Sequence, residues 1–297
     1  LSSKADGHIV AYGLGDWCDI GPAEPAHSQL TSNGVSATAI YYYDICTMQR
    51  IAEHLGKTAD AERYESLAEV KKAFNERFFD RRTLKYDRNS QAANAMALYM
   101  GLVEPQYEEV VLKNLIDDIR GRGNAVTAGD IGYRYVVQTL QDRGASDVLF
   151  DMNSRYGYQI AMGETALAES WQSRDYLSHN HCMLGHLYSW LFSGIGGISQ
   201  ESGSTAYKRI VIDPQIVGDL RDARVSFRSP YGLIRSEWKD APDEFVQTIE
   251  IPANATARIC LPATDPAKVT ESGKPVSGRK DMAVESGTDG RIELHVG

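Results

Sequence analysis

The hydrophobic pattern of this chain changes period once, and that change limits the folds open to it. Before the Gly- and Ser-rich run SGIGGISQESGS (193–204), apolar residues recur every three to four positions, the repeat of one helix face. After it they alternate, the repeat of a half-buried strand. One layer of secondary structure cannot satisfy both halves. The expectation is an α + β chain in two domains, helical over 1–198 and an antiparallel β-sandwich over 199–297.

In the helical part, region 36–55 places Ile40, Tyr43, Met48, Ile51, Ala52 and Leu55 on one face and stops at Gly56. A second helix starts at Thr58, with Asp60 and Glu62 suited to the positive end of its dipole, and turns Ala61, Tyr64, Leu67, Ala68, Phe74 and Phe78 inward. Region 91–100 carries a stripe of Ala92, Ala95, Met96 and Tyr99, and Pro105 opens a helix bearing Val110, Val111, Leu115 and Ile119. Regions 130–142 and 145–152 form a pair around Gly144, and 179–192 completes the set. Short connections between amphipathic helices make antiparallel hairpins, about seven or eight helices in all. In the last third, Ile210 and Ile212, Val225 and Phe227, Ile234 and Trp238, then Phe245, Ile249 and Ile251, then Ala257, Ile259 and Leu261 read as strands. Turns such as Ser229-Pro230-Tyr231-Gly232 separate them.

Charge narrows the partners. A formal net charge of -9 with no Lys/Arg cluster argues against nucleic acid, whose phosphates need clustered cations. No apolar run approaches the roughly 20 residues that span a bilayer, and the opening LSSKADGHIV has no signal-peptide core. Leu stands at position 1 where an initiator Met would, so a mature, processed or excerpted chain is expected. Cys18, Cys46, Cys182 and Cys260 are scattered without paired spacing and read as free, mostly buried thiols. Asn254-Ala255-Thr256 matches a glycosylation triplet, a pattern common by chance.

The densest chemistry lies in MGETALAESWQSRDYLSHNH (162–181). Glu169, two positions before Trp171, pairs a carboxylate with an aromatic plate, a combination that suits a sugar with its apolar face and hydroxylated rim. A surface helix glutamate reads the same way at this level. Glu164, five residues earlier, would not share its face on a helix and reads as a supporting or capping group. His179 and His181 are two apart, whereas helical zinc pairs favour i, i+4, so no metal is expected; His181 suits a hydrogen bond to a carboxylate or a substrate hydroxyl. Asp16-Trp17 repeats the acid–aromatic pairing, although a structural tryptophan would also do so. No G-x-S-x-G, P-loop or dinucleotide fingerprint is present, and no cofactor is expected.

GDWCD (15–19), GETALAESW (163–171), SHNHCMLGHLYSWLFSGIGGI (178–198), YKRIVIDP (207–214) and SPYGLIRSEW (229–238) are similar, in order and spacing, to the C-terminal half of bacterial family 78 glycoside hydrolases, the α-L-rhamnosidases. The likeness covers nearly the whole chain. It implies a six-hairpin α/α toroid followed by a β-sandwich, a rhamnose-containing glycan or glycoside as substrate, and a periplasmic or secreted setting. The family pattern resembling G-A-T-T-x-W-E-R-W places its general base on Glu169, the later Asn-His pair a substrate contact on His181, and the GDW segment a sugar contact on Trp17. Asp16 and Trp171 join them as expected substrate-binding residues. Glu164 stands where the pattern has a small residue, Ala168 where it has an aromatic one and Ser170 where it has arginine, which bears on the sugar accepted.

The resemblance also implies a general acid upstream of the GDW loop, in an arrangement like D-x-x-x-R-x-E-x-x-G-W, and nothing here corresponds to it. The helices are also too few to close a six-hairpin ring. The expectation is therefore the C-terminal part of a larger protein, inactive alone, whose helix faces are uncovered where the missing N-terminal part would pack. Another α/α-toroid enzyme, such as a glucosidase or uronyl hydrolase, and a non-catalytic carbohydrate-binding module are the alternatives.

Overall fold

The computed structural model describes residues 2–64, 67–287 and 289–297. It divides into two compact units, Leu1–Leu187 and Tyr188–Gly297. The first contains α1 (Asn33–His54), α2 (Thr58–Tyr64), α3 (Leu67–Phe78), a two-residue ladder of β1 (Phe79–Asp80) and β2 (Lys85–Tyr86), α4 (Gln91–Tyr99), α5 (Glu108–Gly121), α6 (Gly132–Asp142), α7 (Ser146–Met152) and α8 (Ser154–Ala161). These are the expected helical hairpins, with α8 added. The side chains of Leu67 and Ala68 lie outside the described residues.

The centre of this unit is α4, which packs against α1, α5 and α6. Every residue from Gln91 to Leu98 is buried, so the helix has no outer face rather than the single stripe expected. Its alanines explain this, because small side chains let three neighbours approach at once. Ser90 caps it, accepting from Ala93 N at 3.1 Å. The buried Gln91 is fully used: its amide donates to Asp118 Oδ2 and Ala125 O, and its oxygen accepts from Thr127 N at 2.9 Å. That ties the loop before α6 to the core.

Helix α1 departs from expectation in its second half. Met48, Ile51 and Leu55 stay 45%, 46% and 63% exposed, and Tyr43 is also exposed. Helix α2 packs here but buries only Ala52 of the stripe. The other departure is region 179–192, expected as one helix: 162–182 is loop, followed by a 3₁₀ turn (Met183–His186) and the short α9 (Leu187–Trp190). Glu169 N donates to Ser178 O at 2.9 Å and His181 N to Leu167 O at 2.8 Å. Amides committed to this cross-loop pairing are not free for a helical ladder.

The second unit carries β3 (Ile198–Gln200), β4 (Arg209–Ile212), β5 (Asp222–Ser229), β6 (Gly232–Ala241), β7 (Glu244–Glu250), β8 (Thr256–Leu261), the short β9 (Thr270–Glu271) and β10 (Lys274–Pro275), β11 (Met282–Ser286) and β12 (Ile292–Val296). Two sheets, β11-β12-β8-β4-β3 and β5-β6-β7, enclose a core of Ile198, Ile210, Ile212, Ile234, Ile259 and Leu294. All the pairings in these two sheets are antiparallel except β4 with β8, which is parallel. The turn Ser229-Pro230-Tyr231-Gly232 closes β5 onto β6, with Ser229 Oγ accepting from Tyr231 N. Trp238 is a core residue whose Nε1 donates to Ile195 O at 2.8 Å. Of the four free cysteines, Cys18 and Cys260 are buried, Cys46 is half-buried and Cys182 is exposed.

Candidate active site

Three loops of the first unit converge: 15–20, 125–132 and 162–182. The first two are sewn together by backbone and by one buried carboxylate. Ile20 N donates to Thr127 O and Asp130 N to Trp17 O, at 2.9 and 2.8 Å. Asp16, fully buried, accepts from Gly129 N at 3.0 Å and Gly132 N at 2.7 Å. Only glycine fits at 129, where a Cβ would stand 2.0 Å from Trp17 O, and at 132 a Cβ would meet Ala92 and the Asp16 carboxylate. Burial raises the Asp16 carboxyl to about 7 against the pull of its two amide donors. Asp16 is therefore a clamp between loops and offers no surface to a ligand, contrary to its expected contact with substrate.

Trp171 is likewise internal. It is 1% exposed, donates from Nε1 to Ala128 O at 3.1 Å, and meets Tyr133 and Tyr156 edge-on. No ring face is left for a sugar, so the expected platform is a core anchor that fixes the third loop on α6 and α8.

Glu169, Trp17 and His181 do come together. One oxygen of Glu169 accepts from Trp17 Nε1 at 3.1 Å and the other from Ser178 N at 3.0 Å. The Ser178 amide, then the indole N–H and the nearby His181, hold the Glu169 carboxyl below its usual range despite partial burial. Glu164 accepts from His179 Nδ1, at 2.7 Å to one oxygen and 2.9 Å to the other, a pairing within the 162–182 loop.

Region 130–142 is expected as a helix that begins at Asp130. In the structure α6 begins two residues later and Asp130 faces the site. Its Oδ2 lies 3.6 Å from His181 Nε2, and its Oδ1 is buried without a hydrogen-bond partner among the described residues. Burial, then the charge of Glu169, raises the Asp130 carboxyl to about 7. A lone acid in the small, apolar stretch AVTAGDIGY (125–133) was the available signal. Carboxylate oxygens of Asp130 and Glu169 and the Cys18 sulfur all lie within 4.8 Å of one another, a donor set of metal-ligating type. A metal there would need Cys18 as thiolate, which burial opposes by pushing the thiol to about 12. Near neutrality Glu169 is ionised, while Asp130, raised to about 7, is divided between its two forms, so two adjacent carboxyls differ in their hold on a proton.

Residues 2–195 match the family model described as bacterial alpha-L-rhamnosidase 6 hairpin glycosidase domain, and residues 197–275 match bacterial alpha-L-rhamnosidase C-terminal domain. An alpha-L-rhamnosidase of Streptomyces avermitilis is 28% identical over 285 residues, covering 91% of this chain and 26% of that protein. One of Formosa agariphila is 26% identical over 297 residues, covering 92% of this chain and 30% of that protein. Among solved structures, the Streptomyces avermitilis alpha-L-rhamnosidase complexed with L-rhamnose aligns with 100% of this chain and 28% of its own, at 27% identity and a TM-score of 0.83. The alpha-L-rhamnosidase of Dictyoglumus thermophilum aligns with 100% of this chain and 34% of its own, at 27% identity and a TM-score of 0.84. The chain thus spans between 26% and 32% of the length of the curated relatives it matches.

Proposed function

The chain belongs to the bacterial α-L-rhamnosidase family of six-hairpin glycosidases, and from that premise we propose that it is the C-terminal part of an enzyme that hydrolyses terminal α-L-rhamnosides with inversion, Glu169 being the general base. The observation that carries this reading is the Glu169 carboxylate itself. Two donors, Trp17 Nε1 and Ser178 N, hold it ionised and in one orientation beside a half-buried indole. A base must be ionised and aimed before water arrives.

In this scheme water attacks the anomeric carbon on the face opposite the leaving group, Glu169 takes one of its protons, and a general acid protonates the departing oxygen. Inverting pairs stand about 6.5–9.5 Å apart. Asp130, the carboxyl this chain brings to Glu169, lies within 4.8 Å, too close to be that acid. The acid is assigned to the remainder of the same protein, which is also the partner for the uncovered face of α1. This chain alone is accordingly expected to be inactive.

In the full-length protein, Glu169→Gln should keep the wild-type fold and lose about 10²- to 10⁴-fold in turnover of an aryl α-L-rhamnoside. Normal turnover by that variant would end the assignment. A panel of aryl glycosides tests the sugar: preference for a glucoside or an unsaturated uronide would point to another toroid enzyme.

A further inference from the structure

The proposed base accounts for one proton of the attacking water and leaves the other O–H without a partner. Asp130 is placed to take it. Its carboxylate and that of Glu169 present oxygens within 4.8 Å of each other. A single water donating both hydrogens to two oxygens, each at about 2.8 Å and with a near-tetrahedral angle, spans roughly 4.5 Å. The Asp130 side chain retains 7% exposure, too little for a sugar ring and enough to face one small molecule. Among the described residues its Oδ1 is a buried acceptor with no donor, and a bound water is one of the few ways to satisfy such a group. The main chain fixes its position, since Asp130 N donates to the carbonyl of Trp17, whose indole holds Glu169. His181 Nε2 stands at 3.6 Å from Oδ2 and limits rotation of the carboxyl.

Resting on the reading of Glu169 as general base, we propose that Asp130 is a second catalytic residue, which accepts the other hydrogen of the nucleophilic water and so aims its lone pair at the anomeric carbon. The bond from water oxygen to the anomeric carbon forms as the glycosidic C–O bond breaks. The proton facing Glu169 moves to Glu169, and the leaving oxygen takes the proton of the general acid. The hydrogen facing Asp130 stays on oxygen and becomes that of the product's anomeric hydroxyl. Asp130 accepts a hydrogen bond throughout and takes no proton. The Cys18 sulfur lies within 4.8 Å of both carboxyl oxygens, its thiol kept neutral by burial.

The test uses the full-length protein, an aryl α-L-rhamnoside, and the variants Asp130→Ala, Asp130→Asn and Glu169→Ala, each with and without azide. Azide attacks carbon without a proton to surrender, so it needs neither a base nor a water clamp. Asp130→Ala should lower kcat about 10²-fold with KM little changed, the size of effect that misplacing a reactant produces. Azide should restore turnover in both alanine variants with release of β-L-rhamnosyl azide. Asp130→Asn, which keeps an acceptor oxygen, should stay within about tenfold of wild type, and it serves alone if the alanine variant fails to fold. An Asp130→Ala protein that is as active as wild type, or impaired but not rescued by azide while Glu169→Ala is rescued, overturns the proposal and leaves the base assignment standing. So does an Asp130→Asn protein impaired beyond about tenfold that azide does not restore. Full turnover by Glu169→Ala overturns both.

Discussion

The two units place their buried polar groups differently. In the β unit the core is mostly apolar, as in Ile210, Ile212, Ile234 and Ile259, with Ser236 and the Trp238 N–H among its few buried polar groups, and the strands pair in ladders. In the helical unit the loops that carry the candidate site are held by buried side chains acting as backbone partners: Asp16 for two glycine amides, Gln91 for Ala125 and Thr127, and Trp171 for Ala128. A loop brought inside brings its amides and carbonyls with it, and each needs a partner that the loop itself does not supply. A defect in the sandwich should therefore cost packing, and a defect at the site should cost unpaired polar groups.

The largest effect expected from probing this contrast comes from the sandwich. Ile234→Ala should lower the unfolding free energy by about 2–5 kcal/mol through transfer and cavity terms, measured by denaturant titration. Asp16→Ala should cost about 2–4 kcal/mol by leaving the Gly129 and Gly132 amides without acceptors. Hydrogen exchange should then quicken at those two amides, whereas Ile234→Ala should quicken exchange along β6. If Asp16→Ala leaves both glycine amides as protected as in wild type, the clamp is wrongly assigned.

Trp17→Phe keeps the aromatic body and removes one donor to Glu169, a loss of about 1 kcal/mol. The Glu169 carboxyl should rise toward its ordinary range, so the acidic limb of the activity profile of the full-length protein should move to higher pH. The last effect is read as a slope, in the pH dependence of stability. Asp16 is raised from 3.8 to about 7 in the folded chain, so between these values the native state binds the extra proton. Stability from this group is therefore full below about pH 4 and declines as pH rises toward 7. Asp16→Asn should flatten that part of the curve, and an unchanged slope would contradict the assignment.

What could be read from the residues follows the same division. Periodicity located α1 and α4 to α7 and strands β4 to β8, because one buried face repeats at a fixed interval. It missed α8, which has only Gln159 buried, and β11 and β12, whose short alternations are Met282 and Val284, then Ile292, Leu294 and Val296. At the site, Glu169, Trp17 and His181 were legible through resemblance, and the structure places them together. Trp171 is internal, since an aromatic near a glutamate in sequence says nothing of which one faces outward; two tyrosine rings and a carbonyl pack around it. Asp130 is not legible in the sequence because its place beside Glu169 depends on Gly129 and Gly132 letting the Asp16 loop approach, a contact across more than 100 positions.

The central claim is that Glu169 directs water to the anomeric carbon of an α-L-rhamnoside from the face opposite the leaving group. Proton NMR of the first-formed sugar, recorded during turnover of an aryl α-L-rhamnoside by the full-length protein before mutarotation, reads that face directly. The account predicts that β-L-rhamnose appears first and the α anomer grows in later; initial release of α-L-rhamnose would contradict it.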